Sequence, residues 1–394
     1  MKKLIVLLLC LLTVTNAKAL ELNINSKNAI MYNLSSNEII YEKQSEEKVQ
    51  IASLTKLMTA LIVLEKEKDL DKQVIITYDD LKGLAEENLV TAGFTPGSAV
   101  TYRDLLYALL LPSGADAAKA LSRNIDGNFI ELMNKKSEEL KLQNTHFDNE
   151  IGLDSDENYS TVKDLSIVFK ELLKNDEFKK IITTNEYKTS DGKLVFNSTI
   201  QKNAAKYGID IPYILGGKTG TTDGAGLCLA TIGKDKDIDF MLITTGAQYD
   251  KKRPHNIDDA KIIYDYFIEN YSNQKVVDKK ISFKTLKTKY TKEDNYKIYP
   301  TKDIIKYLPN DYDKEKVVYK YNGLEELNTT TKGKIGTVKI YYDSKLLDTQ
   351  KIYLKNKLHF SLEKFIKINI KEIMIGFILL ILITLFIIKK KRAH

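Results

Sequence analysis

The sequence predicts an α+β domain, a small all-β domain behind it, and a single apolar helix at the C-terminus. Three observations predict this order. Between about Leu20 and Asn273, helix-period and strand-period segments are interspersed. Beyond Gln274 the chain becomes short stretches alternating apolar and polar residues between Gly, Asn, Asp and Lys turns, the texture of an antiparallel sandwich. Finally, "IMIGFILLILITLFII" runs from Ile373 to Ile388 without a charge, and "KKKRAH" follows it.

The ends set the compartment. Residues 1–19, "MKKLIVLLLCLLTVTNAKA", combine two lysines, an apolar run and a small-x-small close at Ala17-Lys18-Ala19, the pattern of a secretory signal peptide. The mature chain then starts near Leu20. The run 373–388 spans about 24 Å as a helix. A bilayer core is roughly 30 Å thick, so Lys371 and Lys389 must snorkel or the bilayer must thin. Lys389, Lys390, Lys391 and Arg392 mark the cytoplasmic side by the positive-inside rule. The expected plan is therefore signal peptide 1–19, α+β domain 20–273, β-rich domain 274–360, membrane-proximal segment 361–372, transmembrane helix 373–388 and cytoplasmic tail 389–394.

Charge and cysteine usage exclude several classes. The net charge is +7, and Lys2, Lys3, Lys18 and the four tail cations account for all of it, with no acid in either segment. The exported part is close to neutral, which removes the electrostatic argument for nucleic acid as a partner. Cys10 leaves with the signal peptide, so Cys228 has no intrachain partner, and its run "GLCLATI" reads as core. His146, His255, His359 and His394 show no paired spacing and no zinc pattern.

Within the first domain, "EIIYEK" and "QVIITY" read as strands. "DLLYALLLPSGADAAKALSRNI" reads as two helices broken at Pro112-Ser113-Gly114, and "FIELMNKKSEELKL" as another helix. "GLCLATIGK" and "DFMLITTGA" look like adjacent strands around a turn, and the helix "DDAKIIYDYFIENY" closes the domain. In the second domain "KVVYKYN", "GTVKIYYDS" and "LDTQKIYL" are the strand candidates, and none carries chemistry.

One apolar helix begins with polar residues that its packing does not require. In "IASLTKLMTA", residues 51–60, Ser53 and Lys56 lie three apart and share a helix face. A structural reading makes Ser53 a cap and lets Lys56 snorkel. The bare Ser-x-x-Lys pattern also occurs elsewhere, for example at Ser45, Ser190, Ser272 and Ser361, in polar, turn or terminal surroundings. Of these, only Ser53 opens a long apolar helix. Two further segments stand in order behind it. "LLLPSGADAA" places Ser113 at a helix break, and "LGGKTGTTDG" places Lys218-Thr219-Gly220 at the entrance to a strand, with glycines that let a ligand approach the backbone.

Ser-x-x-Lys, Ser-Gly-x and Lys-Thr-Gly in this order resemble the signature of active-site-serine penicillin-recognising enzymes. The chain is similar specifically to the low-molecular-mass penicillin-binding proteins, the D-alanyl-D-alanine carboxypeptidases of peptidase family S11. "FIELMNKK", "THFDNEIGLD", "RPHNIDDAKIIYDY" and the C-terminal "GLEELNTTTKGKIGTVKIYYDSKLL" extend the resemblance over nearly all of the mature chain. It implies a penicillin-binding/β-lactamase-like serine transpeptidase fold, a sheet flanked by helices plus a helical lobe, with 20–273 as the catalytic domain.

The resemblance implies a mechanism. Ser53 is the acyl-ester nucleophile and Lys56 its general base, usable once burial and the nearby Lys218 lower its pKa. The helix N-terminus adds a favourable field. Ser113 relays a proton to the leaving D-alanine. Lys218, Thr219 and Gly220 form the substrate strand, with Lys218 and Thr219 on the terminal carboxylate and Arg253 as a further candidate. The backbone N–H groups of Ser53 and Thr221 serve as oxyanion donors. No metal and no cofactor is required. The expected partners are peptidoglycan stem peptides, β-lactams as covalent inhibitors, and the cell membrane.

Two departures stand out. The family usually has Asn two residues after the motif serine, where this chain has Ala115; losing one hydrogen bond to a charged group costs about 1.5–3 kcal/mol. Glu150 stands where the family often has Pro. Three alternatives remain beside the carboxypeptidase, and the one nearest in chemistry is a transpeptidase, in which an amine rather than water accepts the acyl group. A β-lactamase would carry Glu-x-x-Leu-Asn between the second and third motifs, which is absent between Ser113 and Lys218. A catalytically weakened wall sensor would be supported by Ala115 alone.

Overall fold

The computed structural model describes residues 20–392, so the expected signal peptide lies outside the described residues. The chain divides into two compact units, Met1–Glu269 and Asn270–His394. The fold is α+β.

The first unit is built on a five-stranded antiparallel sheet. Its strands are β1 (Asn28–Asn33), β2 (Glu38–Lys43), β3 (Ile214–Thr222), β4 (Gly226–Asp235) and β5 (Ile238–Ala247), in the order β2-β1-β5-β4-β3. The central strands β4 and β5 are buried nearly end to end, as strands covered on both faces must be. One face carries Ile30, Ala230, Met241 and Ile243 into a core shared with the helices. Helix α8 (His255–Asn270) meets Phe240 and Thr231 through Tyr264. β3 is an edge strand, which leaves one side of its backbone open for a ligand.

Helix α1 (Thr55–Lys66) is buried from Thr55 through Leu64, because Leu57, Met58, Leu61, Ile62 and their neighbours cover more than one face. Around it pack α2 (Tyr102–Leu110), α3 (Ala115–Ile125), α4 (Phe129–Glu139) and α5 (Val162–Leu172). Thr101 starts α2 with a capping box closed by Asp104, and Thr161 caps α5 through the Asp164 N–H. α6 (Asp176–Ile182) and α7 (Thr199–Tyr207) complete the unit.

Two sequence expectations need correction here. "QVIITY" is a strand only over Gln73–Ile75, because Thr77 and Asp80 close a capping box around a short helical turn at Tyr78–Asp80. Lys218-Thr219-Gly220 is not at a strand entrance but inside β3, whose glycines Gly216, Gly217 and Gly220 make it read as a turn.

The second unit contains β6 (Tyr271–Val277), β7 (Lys284–Thr288), β8 (Asn295–Ile298), β9 (Ile304–Pro309), β10 (Val317–Gly323), β11 (Glu326–Leu327), β12 (Lys334–Tyr342) and β13 (Lys345–Tyr353). They pair as β6-β9, β8-β7-β11 and β10-β12-β13 around one core that includes Val277, Leu286, Leu327, Val338 and Ile352. The expected all-antiparallel pattern fails at one place: β7 and β11 run parallel, with Lys287 opposite Glu326.

The membrane-proximal segment is ordered against this unit. In α9 (Leu362–Ile368), capped by Ser361, Phe365 packs on Tyr290 and Phe360, and the Tyr290 hydroxyl donates to Asn369 Oδ1 at 3.0 Å. Helix α10 (Ile370–Arg392) follows, and its segment Ile370–Lys389 has a mean hydropathy of 2.5. At the α-helical rise those residues cover about 30 Å, so the helix fits a membrane anchor better than the charge-free run alone suggests.

Candidate active site

Ser53 sits on a short 3-10 turn, Ala52–Leu54, that leads into α1. The turn is entered through Ala52 in the left-handed region (φ +46°), where a non-glycine residue is strained. Ser53 does not cap the helix; Leu54 occupies the cap position and no side chain bonds there. Lys56 does not snorkel either, being only 1% exposed. Its ammonium donates to Ser53 Oγ at 2.9 Å and to the carbonyl of Ile151 at 2.7 Å. Burial pulls the Lys56 pKa down to about 7, an effect opposed by the fields of Glu150 and Asp116. Among the described residues no carboxylate forms an ion pair with it.

The Ile151 carbonyl is aimed by its own loop. Asn149 Oδ1 accepts from the N–H groups of Ile151, Gly152 and Leu153, which folds residues 149–153 into a tight nest. The carbonyl of Glu150 accepts from Thr59 on α1. Gly152 must be glycine, since a Cβ there would lie 2.0 Å from the Ala52 oxygen and its φ is +92°. Sequence reasoning missed this acceptor, because a backbone carbonyl carries no residue signature; the Asn-x-x-Gly spacing in "DNEIGLD" was the only hint.

Ser113 lies between α2 and α3, also left-handed (φ +72°), and its hydroxyl accepts from Lys218 at 2.7 Å. Lys218 is fully buried in the middle of β3 and also donates to the Thr219 carbonyl. Burial, and then the positive charge of Lys56, hold its pKa well below the ordinary lysine value. Ala115 is buried at the first turn of α3. Asp116 does not substitute for an amide there. It points to the other side and accepts from the N–H groups of Ala92, Gly93 and Phe94.

β3 passes directly beside Ser53. A Cβ on Gly220 would stand 3.0 Å from the Ser53 nitrogen and 3.1 Å from the Ala52 Cβ. Thr219 Oγ1 shares a hydrogen bond of 2.8 Å with Thr199 Oγ1, a partner that the sequence did not suggest. The Thr221 hydroxyl bonds to the Gly220 carbonyl, which leaves its backbone as the group of interest. Arg253 pairs bidentately with Asp258 on the first turn of α8. The structure thus gathers Ser53, Lys56, Ser113, Lys218, Thr219, Gly220 and Thr221, while the hydrogen bonds of Arg253 go to Asp258.

Known proteins show the same plan. The family described as D-alanyl-D-alanine carboxypeptidase, peptidase S11, matches residues 13–249. The D-alanyl-D-alanine carboxypeptidase DacF of Bacillus subtilis (strain 168) is 32% identical over 244 residues, 59% of this chain and 60% of that protein. The chain therefore spans about three-fifths of that relative's length. The crystal structure of the Streptomyces K15 DD-transpeptidase aligns with a TM-score of 0.57 at 27% identity, covering 63% of this chain and 98% of its own. Penicillin-binding protein 5 from Haemophilus influenzae aligns with a TM-score of 0.62 at 21% identity, covering 86% and 99%, a likeness of fold that reaches into the second unit. A family match over more than half of the sequence, on this fold, makes the chain a member of the D-alanyl-D-alanine carboxypeptidase family, peptidase S11.

Proposed function

We propose that this protein is a serine-type D-Ala-D-Ala carboxypeptidase that removes the terminal D-Ala from peptidoglycan pentapeptide stems through an acyl-enzyme on Ser53. The same serine is the site of covalent reaction with penicillin, whose ring imitates the D-Ala-D-Ala terminus. The observation that carries the reading is the buried contact between Lys56 and Ser53, with Lys218 and Ser113 alongside.

Lys56 in its neutral form takes the Ser53 proton as Oγ bonds to the scissile carbonyl carbon. The charge that develops on the carbonyl oxygen falls to the N–H groups of Ser53 and Thr221. The C–N bond then breaks, and the departing D-Ala amine takes its proton through Ser113. Water hydrolyses the ester and frees Ser53. Lys218 and Thr219 hold the substrate carboxylate. That carboxylate favours a proton on Lys218, and a charged Lys218 disfavours one on Lys56, so arrival of substrate prepares the base. No step needs a metal or cofactor.

The C-terminal helix supports attachment to the membrane, with the catalytic unit outside and residues 389–394 in the cytoplasm. Ala115 favours a second reading, a weakened enzyme acting as a wall sensor. D-Ala release from a pentapeptide stem, with Ser53→Ala as the blank, separates the two. Release that vanishes in the variant supports the carboxypeptidase; a folded but silent protein supports the sensor.

A further inference from the structure

We infer that Asp154 is a positioning residue for the oxyanion site: it clamps the turn that ends β3 to the loop that carries Ile151, and so sets the gap between the Ser53 and Thr221 N–H groups. The inference rests on the proposed acyl-transfer reading.

The need for such a clamp follows from the topology. The two N–H groups belong to segments far apart in sequence, one on the turn before α1 and one near the end of β3. β3 pairs on one side only, with β4, so no strand holds the other side of its end. An oxyanion site works by holding its donors where the charge will develop, without rearrangement during the reaction. A strand end that can drift works against this.

Asp154 uses both carboxylate oxygens on the turn. Oδ1 accepts from the Thr222 hydroxyl at 2.6 Å, and Oδ2 accepts from the Gly224 N–H at 2.8 Å. The Thr222 oxygen in turn accepts from the Ala225 N–H, which closes the turn on itself. Gly224 is pressed against this carboxylate and the Gln50 amide; a Cβ there would stand 2.9 Å from Asp154 Oδ2 and 1.6 Å from Gln50 Oε1. On its other side Asp154 continues the nest made by Asn149. That nest presents Ile151 O to Lys56 and packs Gly152 against the Ser53 backbone. The Leu153 carbonyl is further fixed by Asn158, which also bonds to Thr55 at the start of α1. One short loop therefore touches the base, the nucleophile's backbone and the end of the substrate strand.

Asp154 is exposed, so its hydrogen bonds compete with water and add little to global stability. Its effect should appear in rate rather than in folding. The test uses the full-length protein in detergent, comparing wild type, Ser53→Ala, Asp154→Ala, Asp154→Asn, Thr222→Val and the Asp154→Ala/Thr222→Val pair. The readouts are D-Ala release, the rate of acylation by benzylpenicillin, and the melting temperature. Asp154→Ala is expected to lower kcat and the acylation rate by about 10–100-fold, with KM and melting temperature close to wild type. Asp154→Asn keeps one acceptor oxygen and should recover part of the rate. Thr222→Val should cost less in the Asp154→Ala background than in wild type, because only its bond from the Ala225 N–H is then left to lose.

Wild-type kcat in Asp154→Ala, or a loss accounted for by a smaller folded fraction, overturns the inference and leaves the acyl-transfer reading intact. A wild-type protein no more active than Ser53→Ala overturns that reading and the inference with it.

Discussion

The ammonium nitrogen of Lys56 lies 2.9 Å from Ser53 Oγ, on a side chain closed off from solvent. An ammonium buried without a carboxylate partner sheds its proton readily, and a neutral lysine beside a hydroxyl is a base beside its acid. The placement comes from ordinary packing. α1 is apolar around most of its circumference, so whatever stands one turn after Ser53 is drawn into the core with it.

The pH dependence of acylation follows. With the Lys56 pKa near 7, the base is mostly protonated below that value and mostly neutral above it. The second-order rate of acylation by benzylpenicillin should therefore rise with pH through neutrality and then level off. A rate flat across that range would place the limiting proton transfer on another group.

Lys56→Arg keeps a cation and hydrogen-bond donors but cannot deprotonate. General-base contributions are commonly 10²–10⁴-fold, so a loss of about that size is expected, with the melting temperature much less affected. Stopped-flow acylation and a thermal melt on the same sample check it. An active Lys56→Arg protein would remove Lys56 from the base role.

Gly152→Ala should be costly in both stability and rate. Its Cβ would meet the Ala52 carbonyl at 2.0 Å and its φ is +92°, so the nucleophile's turn must move. Overpacking of this kind costs about 1–3 kcal/mol, measurable by urea unfolding. Acylation should fall by more than the folded fraction does.

Ala115→Asn restores the amide that the family pattern carries. If that amide assists Lys56 or the substrate carbonyl, D-Ala release should increase by about tenfold or more, the worth of one hydrogen bond to a charged group. Lys56 already bonds to Ser53 and Ile151, which leaves its third N–H for the new oxygen. A decrease would show that the buried position has no room.

How much of this was legible beforehand depended on which part of a residue acts. The roles proposed for Ser53, Lys56, Ser113 and Lys218 belong to side chains, and their order along the chain made them readable. The Ile151 carbonyl and the Gly152 contact belong to the backbone, and the bonds of Asp154 depend on a loop's shape, so no short pattern encodes them. Thr199 was invisible because its relation to Thr219 exists only once α7 packs beside β3. Arg253 was a candidate by charge alone, and its pairing with Asp258 could not be read from the sequence. In the second unit, alternation revealed β10, β12 and β13, but the two-residue β11 and its parallel pairing were too short to leave a period.

The measurement that tests the central claim most directly is the mass of the protein after brief exposure to benzylpenicillin, followed by peptide mapping. The account predicts one added penicilloyl group on the peptide that contains Ser53, lost only slowly, and no adduct in Ser53→Ala. An adduct on a different residue, or one that persists in Ser53→Ala, would contradict it.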